Sequence, residues 1–148
     1  MRANNFDMSV FEILKKGFLS ESVEQTYSFA KSFLLEIPKD SFIALSGDLG
    51  SGKTAFVKGL GAGLGIKESI KSPSFNICSI YKEGLVHIDA YRLESYFAPQ
   101  DFLIDELATN PSIICVEWPE KISHFIPEDA IKLHFSIEKN SAHLIKFA

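Results

Sequence analysis

Arginine is nearly missing from this chain. Among 148 residues only Arg2 and Arg92 carry a guanidinium, and the other fixed positive charges are lysines. Chemistry that aligns several phosphates or carboxylates with bidentate clamps is therefore poorly supplied. The formal net charge is −4, so the broad basic face of a protein that grips nucleic acid unaided is missing as well. Cysteine is scarce too. Cys78 and Cys115 sit in the apolar stretches FNICSI and SIICVE, which reads as two buried thiols in a reducing compartment rather than a disulfide or a metal site. No apolar run approaches the ~18 residues of a membrane span. Acids interrupt MRANNFDMSVFEILKK where a signal peptide needs an unbroken apolar stretch. The expectation is a soluble cytoplasmic protein.

What is present is a core. Apolar residues make up 46% and charged residues 23%, which excludes a disordered chain. The length suits a single domain over residues 1–148, with residues 1–19 left open between a short helix and a strand added to a sheet edge. Ser22-Val23-Glu24-Gln25 has the form of a capping box. Val23, Tyr27, Ala30, Leu34 and Ile37 follow at helical spacing, and Pro38 ends the helix. Phe42–Leu45 reads as a buried strand that runs into a glycine-rich loop. Phe56, Val57, Leu60 and Leu64 then mark a second helix, with Gly65 as its C-cap. Residues 67–74 read as loop. Phe75–Lys82 and Leu85–Asp89 form a hairpin about Glu83-Gly84, residues 101–108 a short helix, and Ser112–Glu117 another buried strand. The alternation of Ile131, Leu133, Phe135 and Ile137 predicts a strand, and residues 144–147 its partner after a turn at 139–141. An α/β fold with a mainly parallel central sheet, flanking helices and antiparallel additions fits this order.

Gly47-Asp48-Leu49-Gly50-Ser51-Gly52-Lys53-Thr54 matches the phosphate-loop pattern G-x-x-x-x-G-K-[ST] in full. Glycines let successive backbone N–H groups approach phosphate oxygens, and the helix that opens near Lys53 adds its positive end. Lys53 can reach the β- and γ-phosphates, and the Thr54 hydroxyl can ligate Mg²⁺. The motif follows a strand-type run and opens a helix, as its mechanism requires. The sequence has no Asn-Lys-x-Asp tetrapeptide to read guanine, so ATP is the expected nucleotide.

A site of this kind needs an acid at the end of a neighbouring strand. Glu117 closes the run IICVE and Asp89 closes LVHID. His87 lies two positions before Asp89 on the same strand face, where a proton shuttle and a hydrogen-bonded structural histidine are both open. Trp118, beside Glu117, either packs near the nucleotide or is an ordinary core aromatic.

The ordered set GDLGSGKT (47–54), SPSF (72–75), HIDAYRL (87–93) and EWPE (117–120) resembles the bacterial TsaE (YjeE) family of P-loop ATPases, which act in threonylcarbamoyladenosine (t6A) modification of tRNA. The resemblance spans about residues 20–120. It implies a P-loop NTPase fold, with Asp48, Gly50, Ser51, Gly52, Lys53, Thr54 and Ala55 around ATP and Mg²⁺ held by Thr54 and Glu117. Asp89, Glu117 and Lys53 would be the catalytic set, with Asp89 either reaching the metal only through an intervening ligand or positioning water. Ser72–Phe75 would be a switch-like segment; the family's usual threonine is replaced there by Ser74. The resemblance further implies a TsaB–TsaD heterodimer as partner, tRNA reached only through it, and ATP hydrolysis that is slow alone. On the residues themselves, either Arg92 serves as an arginine finger or a partner completes the site. The rivals are a small-molecule or nucleotide kinase, for which the shortage of arginine counts against the reading, and a nucleotide-binding regulatory module without turnover.

Overall fold

A computed structural model describes residues 8–71, 77–93 and 111–148. The segments 72–75 and 101–108, read above as a switch and a helix, lie outside the described residues.

Helix α1 (Val10–Lys16) and strand β1 (Phe18–Ser20) come first, so the N-terminal segment holds both of the alternatives its sequence left open. Gly17 makes the break between them at φ +95°. Helix α2 (Val23–Leu35) begins at Ser22, whose hydroxyl accepts from the Gln25 N–H at 3.1 Å. The return bond of the capping box lands one residue early: the Gln25 side chain accepts from the Glu21 N–H at 2.8 Å. The buried face of α2 is Thr26, Phe29, Ala30 and Phe33, a rotation away from the stripe that spacing picks out. Val23 is 51% exposed, while Tyr27 and Leu34 are half-buried at the margin. Aromatic packing sets this rotation, because Phe29 and Phe33 both meet Phe56 across the helix pair and bury more apolar area than Val23 would.

Strand β2 (Phe42–Gly47) leads through the glycine loop into α3 (Lys53–Gly63). Helix α3 closes as a Schellman motif, with Gly65 at φ +86° and the Ile66 N–H on the Gly61 carbonyl at 2.9 Å. Strands β3 (Cys78–Tyr81) and β4 (Leu85–Asp89) form the hairpin about Gly84, and β5 (Ile113–Glu117), β6 (Ile131–Ile137) and β7 (His143–Phe147) complete the sheet. The strand order is β1-β7-β6-β2-β5-β4-β3. The central four, β6-β2-β5-β4, are parallel, and β7, β1 and β3 are antiparallel additions at the two sides.

Period-2 alternation sends two sets of side chains to opposite faces. Ile43, Leu45, Leu85, Ile113, Cys115, Leu133 and Phe135 face α2 and α3. Val86, Ile88, Ala90 and Val116 face the other way and pack with Ile122 of a 3-10 helix, Pro119–Phe125. Among the described residues no helix is long and apolar enough to cross a membrane. The two thiols differ from expectation in degree. Cys115 is buried, but Cys78 is only half-buried at the start of β3, since β3 ends the strand order and is covered less completely than a central strand.

Two predictions follow from this packing. At Gly59, an added Cβ would lie 2.7 Å from the Ala30 Cβ and 3.0 Å from Tyr27 backbone atoms, which cannot yield cheaply. Gly59→Ala should therefore lower unfolding free energy by up to about 2 kcal/mol, since overpacking (~1–3) offsets and exceeds the ~1 kcal/mol gained in helix propensity. At Gly63 the one close atom is the flexible end of Leu34 at 2.8 Å, with Lys31 at ordinary contact distances of 3.6 and 3.8 Å, so Gly63→Ala should be near neutral; urea titration of both variants checks the contrast. Burial also pushes the Cys78 thiol up to about 11 and holds Cys115 well above the ordinary thiol range. Both thiols should thus react slowly with a thiol reagent at pH 7 in the native protein, and both rapidly after denaturation.

Candidate functional site

The loop between β2 and α3 starts where the sheet changes direction of winding: β6 lies on one side of β2 and β5 on the other. Such a switch point leaves a crevice at the carboxyl ends of the strands. Backbone geometry explains two of the glycines there. Gly47, at φ +135°, would place a Cβ 2.2 Å from the Phe135 carbonyl oxygen, and Gly52, at φ +106°, would place one 2.8 Å from His143 Nδ1. A side chain at Gly47 would push the loop off the sheet, and one at Gly52 would meet the His143 ring from a strained backbone.

The loop walls a hollow of about 410 Å³, lined by Gly50, Gly52, Lys53, Thr54, Ala55, Asp89, Tyr91, Glu117 and Trp118 together with Leu49. Parallel pairing of β4 with β5 sets Asp89 beside Glu117. Pairing of β5 with β2 sets Glu117 beside Leu45, just before the loop. The two strand-end acids and the loop therefore converge, although the three segments are far apart in the chain.

Glu117 is 3% exposed. Its two carboxylate oxygens each lie 3.3 Å from Thr54 Oγ1, and Oε2 lies 2.6 Å from His87 Nε2. A buried carboxylate needs such partners, since an unpaired one costs several kcal/mol. Of the two readings left open for His87, the structure favours the hydrogen-bonded histidine: the ring is fully buried under the hollow. Asp89 lines the hollow and accepts from the Tyr91 N–H at 3.0 Å.

Lys53 is 4% exposed. Its ammonium donates to the Gly47 carbonyl and, at 2.8 Å, to the Asp48 carbonyl. The Trp118 ring covers it at 4.4 Å from ammonium to centroid, and Tyr91 packs on Trp118 at 4.8 Å. Burial lowers the Lys53 pKa, while Glu117, Glu120, Asp48 and Asp89 oppose the shift. An anion entering the hollow would add to the second group and favour the charged form. Trp118 holds this position from a left-handed backbone, φ +61°, a strained conformation for an aromatic residue.

Other expected residues are placed differently. Asp48 is exposed and borders a separate groove of about 440 Å³ with Ser46, Trp118 and His134. Ser51 is fully buried beneath the loop, its hydroxyl 3.5 Å from the Lys53 ammonium. Arg92 is exposed and is not among the described residues that line the hollow. Sequence reading missed the His87–Glu117 contact and the Tyr91 packing. It also missed a smaller hollow, about 190 Å³, that shares Ala55 and is lined by Ser20, Ser22, Thr26, Ser141 and His143. No motif marks those residues; the β1–β7 pairing gathers them.

Among the described residues, no cluster of three or more His, Cys, Asp or Glu side chains is arranged to hold a metal ion. One hydroxyl and one carboxylate, Thr54 and Glu117, at the lip of the glycine loop suit a different kind of cation. Magnesium keeps several waters and is commonly held by one or two carboxylates together with substrate phosphates.

Comparison with known proteins agrees with this geometry. The profile of the family described as "Threonylcarbamoyl adenosine biosynthesis protein TsaE" matches residues 20–145, extending past the motifs to include β6 and most of β7. A protein of Synechocystis sp. named tRNA threonylcarbamoyladenosine biosynthesis protein TsaE is 37% identical over 118 residues, covering 71% of each chain. One of the same name from Borreliella burgdorferi is 36% identical over 118 residues, covering 75% of this chain and 83% of its own. The crystal structure of Bacillus subtilis YdiB superposes with a TM-score of 0.73 at 28% identity, over 88% of this chain and 82% of that one. With its strand order, its loop and its two strand-end acids in place, the chain belongs to the TsaE family of tRNA threonylcarbamoyladenosine biosynthesis proteins.

Proposed function

We propose that this protein is a Mg²⁺-dependent ATPase that acts with a TsaB–TsaD heterodimer in t6A modification of tRNA. The observation that carries the reading is the meeting of Thr54 Oγ1 with both oxygens of Glu117 at 3.3 Å, on the wall of a loop-lined hollow that also holds Lys53. A hydroxyl at the start of a helix and a strand-end carboxylate are the pair a P-loop enzyme needs for magnesium.

On this reading the N–H groups of residues 50–55 and the positive end of α3 receive the phosphates. Lys53 leaves the Gly47 and Asp48 carbonyls for the β- and γ-phosphate oxygens, which are stronger acceptors because they are charged. Thr54 and Glu117 would hold magnesium, which when bound neutralises charge on the phosphates. Asp89 orients the water whose oxygen attacks the γ-phosphorus, and the bond to the β–γ bridging oxygen breaks. Arg92 is exposed; either it turns to the phosphates as an arginine finger or a partner supplies the positive charge that completes the site. The acidic, arginine-poor chain leaves tRNA contact to that partner.

Thr54→Ala should weaken Mg²⁺-ATP binding or slow hydrolysis by tenfold or more, measured as phosphate release; unchanged activity would remove Thr54 from the site. Glu117→Ala should suppress hydrolysis while leaving the circular dichroism spectrum intact. Loss of the folded spectrum would make the acid structural instead.

Phosphate release should rise in the presence of the purified heterodimer, by about 10³-fold or more if the partner supplies an arginine finger. Absence of stimulation would favour a regulatory module, and transfer of the phosphoryl group to a nucleoside or nucleotide faster than to water would favour a kinase.

A further inference from the structure

His87 is the one fully buried histidine in the described structure, and it sits under the hollow rather than in it. Its Nε2 lies 2.6 Å from Glu117 Oε2, the shortest contact that Glu117 makes. Its other nitrogen, Nδ1, is buried and has no hydrogen-bond partner among the described residues. Leaving a buried polar atom unpaired costs about 1–3 kcal/mol. Its register partners are Cys115 on β5 and Ser79 on β3, and Leu85 and Asp89 flank it on the same face of its own strand; Leu85 and Cys115 are fully buried. An apolar side chain at position 87 would fill the same space without that cost. The chain carries an imidazole there instead, aimed at one oxygen of one carboxylate.

That aim has a consequence for the carboxylate. The bond to Nε2 commits Oε2, and the two contacts to Thr54 are long and shared between the oxygens. Oε1 is left as the oxygen with only a weak protein partner. A glutamate side chain has three rotatable bonds, and its terminal torsion is broad. Without His87, nothing in the described structure beyond the long Thr54 contacts would choose which oxygen faces the helix start.

We propose that His87 is a positioning residue: through Nε2 it locks the Glu117 carboxylate so that Oε1 is presented beside Thr54 to a nucleotide-bound divalent cation. The inference rests on the nucleotide–magnesium reading above. Outer partners of this kind are worth about 10- to 100-fold in metal affinity where they have been removed. The effect should therefore appear in the part of nucleotide affinity that magnesium contributes, and not in the rest.

The test uses calorimetric titration of the full chain with a non-hydrolysable ATP analogue, once in excess EDTA and once in excess Mg²⁺. In the native protein Mg²⁺ should tighten binding. His87→Asn, which keeps a polar amide too short to reach Glu117, should lose about tenfold of that tightening with binding in EDTA unchanged. His87→Leu should do the same while keeping the core filled, so that the result does not hang on one variant folding. His87→Gln places an amide N–H near the original Nε2 and should stay within about threefold of the native protein. In a Glu117→Gln background, His87→Asn should change nothing further.

Equal losses in EDTA and in Mg²⁺ would reduce His87 to packing and overturn the proposal. So would full additivity with Glu117→Gln, or native behaviour of the Asn and Leu variants. If the native protein shows no Mg²⁺-dependent binding at all, the nucleotide–magnesium reading itself fails and the role of His87 falls with it.

Discussion

The placement of one buried carboxylate governs the rest of this molecule. Glu117 ends a central strand with 3% of its surface exposed, and a charge in that position is tolerable only if neighbours hydrogen-bond it. The neighbours come from two separate elements, Thr54 from the first turn of α3 and His87 from β4, and the sheet brings them together by holding β5 between β2 and β4. Changing the strand order would separate these groups. The parallel centre of the sheet therefore serves the site directly, by bringing strand ends from distant parts of the chain to one edge.

The loop after β2 is constrained from two sides. Beneath it, Gly47 passes so near the Phe135 carbonyl that no side chain fits, and Gly52 holds a left-handed backbone, φ +106°, against the His143 ring. Above it, Trp118 lies over the Lys53 ammonium while that ammonium bonds to the loop's own carbonyls. The lysine is thus held between a low-dielectric aromatic cover and backbone oxygens. Burial lowers its pKa, and a phosphate would relieve the same penalty by supplying charge. The strained backbone of Trp118 is sustained by the Tyr91 contact and by the turn into Pro119.

Much of this was legible locally. The helix after Ser22, the strand before the loop, the Gly65 cap, the hairpin at Gly84 and the alternation of residues 131–137 all rest on rules that operate within a few residues, and each is found. Where local rules were incomplete, packing decided. The face of α2 turned toward Phe29 and Phe33 because Phe56 waits opposite them, and spacing alone cannot see that partner. The segment before Ser20 reads ambiguously because a short helix and a three-residue edge strand each depend on what covers them, here β7 and α2.

The sequence by itself determined the loop, since glycine, lysine and threonine at fixed spacing act through backbone freedom and reach that need no distant partner. It also determined that acids stand at the ends of two buried strands. Only the tertiary structure decided that those strands are neighbours, and that the imidazole of His87 meets Glu117 rather than Asp89 two residues along its own strand. It also decided that Trp118 covers Lys53 and that Arg92 faces outward. Strand pairing between remote segments sets these relations, and pairing is a property of the whole sheet's packing that no local spacing encodes.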